Sequence, residues 1–405
     1  MSDHKRGLGI DVLTAARARV ARVFDDFPNV YVSFSGGKDS GVLFELAAVE
    51  ARRRGRRVGV LFVDLEAQYI HTIDYVHLML ARHADVADPY WVALPLNLRN
   101  AVSQFEPQWM CWEPGREAEW VRQPPSGAIT DEAHFPFFKR RMEFEEFVPG
   151  FGDWYARGQL TACLVGIRTQ ESLNRWRSLA SRRKRTYEGL QWTTWMGGSV
   201  YNAYPIYDWA TEDLWTYNAR EHVPYNVLYD RMHQAGLTIH QARICQPYGD
   251  DQRRGLWLYH VIEPETWARV VARVNGANFG AAHARTAGNV LGRLKVTKPD
   301  DITWEEFAHR LLDSMPTTTA EHFRDKIAVF RRWYAVHHPD LYATNIPDAG
   351  PASSKGQPSW QRIVKTILKY DYHCKTLSFA PTKGGDAYLK YRRRMEKRRQ
   401  EWQMT

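Results

Sequence analysis

The chain has 405 residues and carries 55 Lys and Arg against 46 Asp and Glu, a formal net charge of +9. That length suffices for two domains, or for one α/β domain with a large elaboration. No run approaches the ~18 apolar residues of a membrane span, and Met1-Ser2-Asp3-His4-Lys5-Arg6 lacks the apolar core of a signal peptide, so a cytoplasmic protein with no membrane partner is expected.

Residues 10–24 place Val12, Leu13, Ala16, Val20 and Val23 at helical spacing with Arg between them, which predicts an amphipathic lead-in helix. Val30-Tyr31-Val32-Ser33-Phe34 reads as a strand, and Val42, Leu43, Leu46, Ala47 and Val49 mark a helix that Gly55 ends. Val58 to Val63 is a second strand, closing on Asp64. The unit is therefore β-turn-α-β, and its turn is Ser35-Gly36-Gly37-Lys38-Asp39-Ser40.

That turn suits a phosphate. Gly36 and Gly37 let backbone approach an anion, the helix start adds roughly half a positive charge, Lys38 adds a full one, and the Ser35 and Ser40 hydroxyls can donate. Asp39 is unusual beside a polyanion unless it caps the helix or holds a metal ion, and the second role is the one expected. The spacing differs from glycine, four residues, glycine-lysine-serine/threonine, and matches the SGGKDS form of the pyrophosphate loop, or PP-loop. Because Lys38 stands in a turn, Lys38→Ala is expected to leave folding intact.

Asp64 ends the second strand where open α/β sheets bind ligands, and is expected to take a ribose hydroxyl rather than cap a helix. A helix over 70–82 and a strand over 90–94 follow. Between Asn97 and Pro149 the periodicity weakens, and an insertion of this size is either a substrate lid or a packing elaboration. Residues 160–167 form the next strand, which delivers Arg168, Gln170, Glu171, Ser172 and Arg175 to its C-terminal end. Guanidinium forks there, on Arg168 and Arg175, fit phosphates. Arg182-Arg183-Lys184-Arg185 is a basic cluster, solvated or in contact with phosphate.

Cys111, Cys163, Cys245 and Cys374 are far apart with no Cys-x-x-Cys pair. They read as reduced thiols, and no iron–sulfur cluster is expected. Helices are expected over 263–274, 304–312 and 320–337, with a Pro/Gly-rich loop over 346–359 and a polar turn over Pro247–Arg254. From Lys355 to Thr405 there are 13 Lys and Arg against 4 Asp and Glu, a surplus equal to the net charge of the whole chain. With Trp360, Tyr370, Tyr372, Tyr388 and Tyr391 among those cations, the tail suits DNA or RNA; an acidic protein or a solvated face would look similar.

The PP-loop, Gly166-Ile167-Arg168 with Gln170, Ser172 and Arg175, and Tyr204-Pro205-Ile206-Tyr207-Asp208-Trp209 stand in the order and spacing of the PAPS reductase family, which the chain resembles over about residues 25–235. It is most similar to the IbrA/YbdN branch, also at Ile244–Gln252, Arg273–Asn278 and Lys369–Lys375. The resemblance implies an α/β fold, a doubly wound and mainly parallel sheet in a PP-loop domain over 1–235 with an insertion at about 97–150, then a mostly helical domain over 236–405 ending in the basic tail. It implies an adenine nucleotide, ATP or PAPS, with Mg²⁺, and cleavage of ATP between its α and β phosphates. Lys38 and Arg168 are the expected catalytic residues; Ser35, Gly36, Gly37, Lys38, Asp39, Ser40, Asp64, Arg168 and Arg175 the nucleotide-binding ones; and Asp39 the metal ligand.

One departure bears on the reaction. Reductases of this family use a Glu-Cys-Gly-hydrophobic-His segment whose cysteine attacks the sulfonyl group, and this chain has none; its last cysteine stands in Tyr372-His373-Cys374-Lys375-Thr376. The expected function is adenylation or modification of an acceptor linked to nucleic acid. The alternatives are PAPS reduction through an atypical thiol, Cys374 or Cys245, and a nucleotide-sensing scaffold without turnover. IbrA-type relatives imply a companion of ParB-like nuclease fold for the last reading.

Overall fold

The computed structural model describes residues 7, 9–101, 108–181, 184–244, 255–274, 277, 296–315, 317–350, 357–368, 374 and 377. The polar turn at Pro247–Arg254, Cys245 and the tail beyond residue 377 lie outside the described residues. The chain divides into two compact units, Met1–Leu98 with Trp109–Ala282, and Arg99–Gln108 with His283–Thr405.

The first unit is built on a six-stranded sheet. Helix α1 (Val12–Asp26) starts at Asp11, whose carboxylate accepts from the Thr14 amide at 2.9 Å. Strand β1 (Asn29–Ser33), helix α2 (Lys38–Arg53), β2 (Val58–Val63), α3 (Ile70–Arg82) and β3 (Ala87–Val92) follow. Two short strands, β4 (Asn97–Arg99) and β5 (Gln108–Met110), pair with each other outside the main sheet. Helix α4 (Phe144–Ala156), β6 (Thr161–Val165), α5 (Leu173–Ala180), β7 (Thr193–Gly197), β8 (Val200–Ala203), α6 (Thr211–Arg220) and α7 (Leu228–Gln234) carry the chain to residue 234, and α8 (Trp257–Ile262) and α9 (Pro264–Arg273) complete the unit.

The strand order is β3-β2-β1-β6-β8-β7, parallel except for the edge pair β7–β8. From β1 the chain winds outward through β2 and β3, then returns to place β6 on the other side of β1. The order reverses between β1 and β6, and the crevice at their C-terminal ends is where such sheets hold ligands. Apolar faces on both sides explain the continuous runs: Val30, Val32, Val60, Phe62, Ala162 and Leu164 are buried with Val42, Leu43, Phe44, Ala47 and Val76 on one side. Tyr31, Leu61 and Cys163 are buried on the other, where Tyr31 meets the Phe151 ring of α4. The α/β class and mainly parallel sheet follow the expectation.

The described part of the 97–150 region packs. Phe135, Phe147 and Phe151 are buried, and the Phe135 and Phe147 rings meet edge to face at 5.5 Å. The first unit takes in α8 and α9, its chain running on to Ala282. Tyr259 stacks on Tyr69 with ring centroids 3.7 Å apart and donates its hydroxyl to the Ala67 carbonyl at 2.6 Å. The second unit is helical over Trp304–Asp313, Thr317–His337, Pro339–Tyr342 and Trp360–Leu368. Phe323, Phe330, Tyr334, Trp360, Ile363, Val364 and Ile367 form its buried core, and Thr303 with Glu306 makes a reciprocal cap on its Trp304–Asp313 helix.

Candidate functional site

The turn after β1 is shaped by its own glycines and serines and by two side chains from far along the chain. Gly36 has φ +72, and a Cβ there would meet Thr72 Cγ2 at 2.7 Å, so the position requires glycine on both conformational and steric grounds. Gly37 is the N-cap of α2 and brings no side chain to the helix end. The Ser35 and Ser40 hydroxyls lie 3.0 Å apart, and Ser40 also reaches the Gly37 carbonyl at 3.1 Å. Buried Asn226 bolts the turn from outside, donating through Nδ2 to the Gly36 carbonyl and to Thr72 Oγ1, both at 3.0 Å. Tyr229 accepts the Lys38 amide at 3.0 Å. Nothing in the sequence marked Asn226 or Tyr229, because each acts from ~190 residues away through a contact that only the fold creates.

Lys38 departs from the expectation of an open turn lysine. It is 5% exposed, lies over the Tyr229 ring at 5.0 Å and donates Nζ to the Ala242 carbonyl at 3.2 Å. Burial holds its ammonium below the ordinary lysine range; the Asp39 carboxylate, 3.6 Å away, opposes that shift. Removing this side chain therefore costs some stability, since it leaves buried polar partners behind.

Asp39 stands on the first turn of α2 and accepts from the Arg168 guanidinium. Arg168 is 2% exposed and also donates to Gln170 Oε1 and the Trp209 carbonyl, each at 3.3 Å, and to Thr211 Oγ1 at 3.4 Å. Lys38, Asp39 and Arg168 thus form one charge cluster at the sheet crossover, with two cations sharing one carboxylate. The close approach has a specific cause: at Gly166 a Cβ would stand 2.9 Å from the Ser40 amide nitrogen. Arg175 is partly exposed and paired with Glu171, whose carboxylate also accepts from the Arg168 amide at 3.2 Å.

Asp64 is elsewhere in character. It is fully buried, and its carboxylate accepts from Arg122, from Trp91 Nε1 at 2.8 Å and from the Glu66 amide at 3.0 Å. Next to it Glu66, with φ +64, accepts from the Trp112 amide at 2.6 Å, the Val121 amide at 3.1 Å and Arg273 Nε at 3.0 Å. This buried network fixes the segment that leads into α3. Glu263 then caps α3 from a distant part of the chain, accepting from the Ile70 and His71 amides at 2.9 and 3.1 Å. Asp208 is likewise structural in its contacts, gripped by both Arg19 nitrogens at 2.8 and 2.7 Å.

No group of three or more His, Cys, Asp or Glu among the described residues is placed to hold a metal ion. Asp39 offers a single carboxylate, its side chain 14% exposed, in the same turn as the paired Ser35 and Ser40 hydroxyls. That set fits a magnesium ion taken up through one carboxylate and substrate phosphates better than it fits an all-protein cage. Cys111, Cys163 and Cys374 are buried and not disulfide bonded. Burial pushes the Cys163 thiol up to about 12, and Cys374 lies in the apolar core of the second unit. Neither environment favours a thiolate.

Residues 129–245 match the family model described as phosphoadenosine phosphosulfate reductase domain, and residues 236–348 match a domain of unknown function, DUF3440. The uncharacterized protein YbdN of Escherichia coli strain K12 is 45% identical over 405 residues, covering 99% of this chain and 98% of YbdN. The uncharacterized protein MJ0066 of Methanocaldococcus jannaschii is 28% identical over 211 residues, covering 50% of this chain and 34% of that protein. Among solved structures, a PAPS reductase from Candida auris in complex with phosphate matches with TM-score 0.31 at 15% identity, covering 53% of this chain and 84% of that one. Yeast FAD synthetase in complex with FAD matches with TM-score 0.30 at 13% identity, covering 56% of this chain and 65% of that one. With close to half of all positions shared along nearly the full length of YbdN, the chain belongs to the YbdN branch of the PAPS reductase family.

Proposed function

We propose that the turn Ser35–Ser40 binds the phosphates of MgATP, and that the protein cleaves ATP between the α and β phosphates to adenylate or otherwise modify an acceptor. The observation that carries this reading is the charge cluster itself: the start of α2, whose N-cap Gly37 supplies no side chain, with Lys38, Asp39 and Arg168 at the sheet crossover. Helix amides and two cations are what developing negative charge on a leaving pyrophosphate calls for.

In this reading Asp39 keeps two buried cations balanced until phosphate oxygens replace it. Lys38 then neutralises a non-bridging phosphate oxygen, while Arg168, held by Gln170, Trp209 and Thr211, presents a fixed guanidinium. The Ser35 and Ser40 hydroxyls donate to the same group, and Arg175 exchanges Glu171 for phosphate. Asp39, once released, would hold magnesium, which supplies Lewis-acid neutralisation of the phosphates. An acceptor oxygen forms its bond to the α-phosphorus as the bond to the bridging oxygen breaks, and pyrophosphate leaves. Asp64 takes no part, because its carboxylate is fully buried and occupied. The basic tail remains the proposed contact for DNA or RNA, and a ParB-like companion a proposed partner.

Calorimetric titration with MgATP tests the binding claim. Lys38→Ala should weaken binding by about 1.5–3 kcal/mol, the scale of a hydrogen bond to a charged group. A melting curve of the variant separates this from a loss of fold. Equal affinity in parent and variant would contradict the placement.

A further inference from the structure

We infer that the face formed by α5, β7 and the segment between them holds an unstacked base of a single-stranded nucleic acid. The inference deepens the reading above by naming its acceptor, and rests on that reading for the chemistry but not for the binding.

A cavity of about 180 Å³ opens beside the Arg168 loop, lined by Thr169, Trp176, Leu179, Gln191, Trp192 and Tyr207. It is smaller than the ~300–1,000 Å³ of a drug-sized pocket, and with three aromatic rings it suits one planar ring system. The walls are fixed relative to the charge cluster: Thr169, next to Arg168, bonds through its amide and its hydroxyl to the Tyr207 carbonyl at 2.9 and 3.0 Å. Behind that wall the Arg19 guanidinium lies 4.5 Å from the Tyr207 ring centroid. Trp176 is 48% exposed, an uncommon state for a ring of that size, and Leu173, Trp195 and Met196 are exposed as well.

Charge decides the partner. Between Trp176 and Tyr187 stand Arg177, Arg182, Arg183, Lys184 and Arg185, with no Asp or Glu. Arg182 and Arg183 lie outside the described residues. Arg185 lies 4.6 Å over the exposed Trp195 ring, so cation and aromatic are interleaved on one surface. The acids bordering the stretch are engaged: Glu171 with Arg175, and Glu188 with Arg22. Cations that track a phosphate backbone, with rings that stack base faces, are how sequence-tolerant proteins hold single strands, whereas a duplex hides those faces.

The test uses the full chain and fluorescence anisotropy with a labelled oligo-dT, an oligo-U of equal length and a matched duplex. Binding of either single strand in preference to the duplex is expected, and the stronger arm identifies DNA or RNA. Trp176→Ala should weaken it by about tenfold or more, and Trp176→Phe should restore most of it. Arg177→Ala and Arg185→Ala should each lower the slope of log affinity against log salt by about 0.7. Absence of binding, equal binding of the duplex, equal displacement by polyglutamate, or affinity indifferent to Trp176→Ala would each overturn the inference. MgATP titration keeps the two proposals apart: a parent chain that binds MgATP but no strand sinks only the acceptor surface, one that binds a strand but no MgATP sinks only the nucleotide site, and the Trp176→Ala chain should lose strand binding while keeping parental ATP affinity.

Discussion

Gly166→Ala offers a direct probe of how the site is assembled. The backbone of Gly166 is not in the left-handed region, so alanine meets no conformational penalty there and by itself gains about 0.4–1 kcal/mol through the unfolded chain. The new Cβ, however, would lie 2.9 Å from the Ser40 nitrogen, 3.0 Å from the Asp39 carbonyl carbon and 3.1 Å from its oxygen. All three are backbone atoms, with no flexible side chain to swing aside, so β6 and the start of α2 must separate. Overpacking of this kind costs about 1–3 kcal/mol, leaving a net loss of up to about 2.5 kcal/mol. The functional loss should be larger, because the strain falls between Asp39 and Arg168, and a displacement near 1 Å in a positioned group costs about 10²-fold in rate. Chemical denaturation gives the stability loss, turnover of α-labelled ATP the rate loss, and MgATP calorimetry on the same preparation the change in affinity. Gly158→Ala is the control, having φ +76 and nothing within 4 Å, so it should lose stability without touching nucleotide affinity. A Gly166→Ala protein with parental stability and parental ATP affinity would refute the packing argument.

Lys38 should also leave a mark on pH dependence. Because burial lowers its pKa below 10.5, the unfolded chain binds the proton more tightly than the folded one, so this group's contribution to stability rises with pH between the two values. ATP affinity moves the other way, falling as pH rises through the lowered value, and the alkaline limb should vanish in Lys38→Ala. Arg273→Ala strands the buried Glu66 carboxylate and should cost about 3–5 kcal/mol in urea unfolding, whereas a surface arginine costs well under 1. Alkylation by iodoacetamide should be slow at Cys111, Cys163 and Cys374 until denaturant is added; fast labelling of native Cys374 would revive the thiol-based alternative.

Much of the first unit was legible because its signals are local. Val58–Val63 is an unbroken apolar run and forms β2 over those same residues. The Ser35–Ser40 turn announced itself through glycines and a lysine in a β-turn-α context. What could not be read depends on distant partners. The strand expected at 90–94 begins at Ala87, since the hydrogen-bond partner Val58 fixes the start of pairing and Asp88 and Pro89 hide it from a hydropathy pattern. Asp64 has the sequence position of a ligand residue, but Trp91 and Arg122 claim its carboxylate. Lys38 reads from the sequence as a turn lysine whose removal leaves folding intact, because Tyr229 and Ala242, which cover it, are about 200 positions away. The buried Glu66–Arg273 pair shows the same limit: charge at each position is visible, but not the partner.

The central claim is that this cluster turns ATP over. Protein incubated with Mg²⁺ and α-labelled ATP, with and without added DNA or RNA, should yield AMP and pyrophosphate, or label transferred to the polymer, and Lys38→Ala should abolish both. ATP that binds measurably but is recovered intact under every condition would contradict adenylyl transfer and leave a nucleotide-sensing protein in its place.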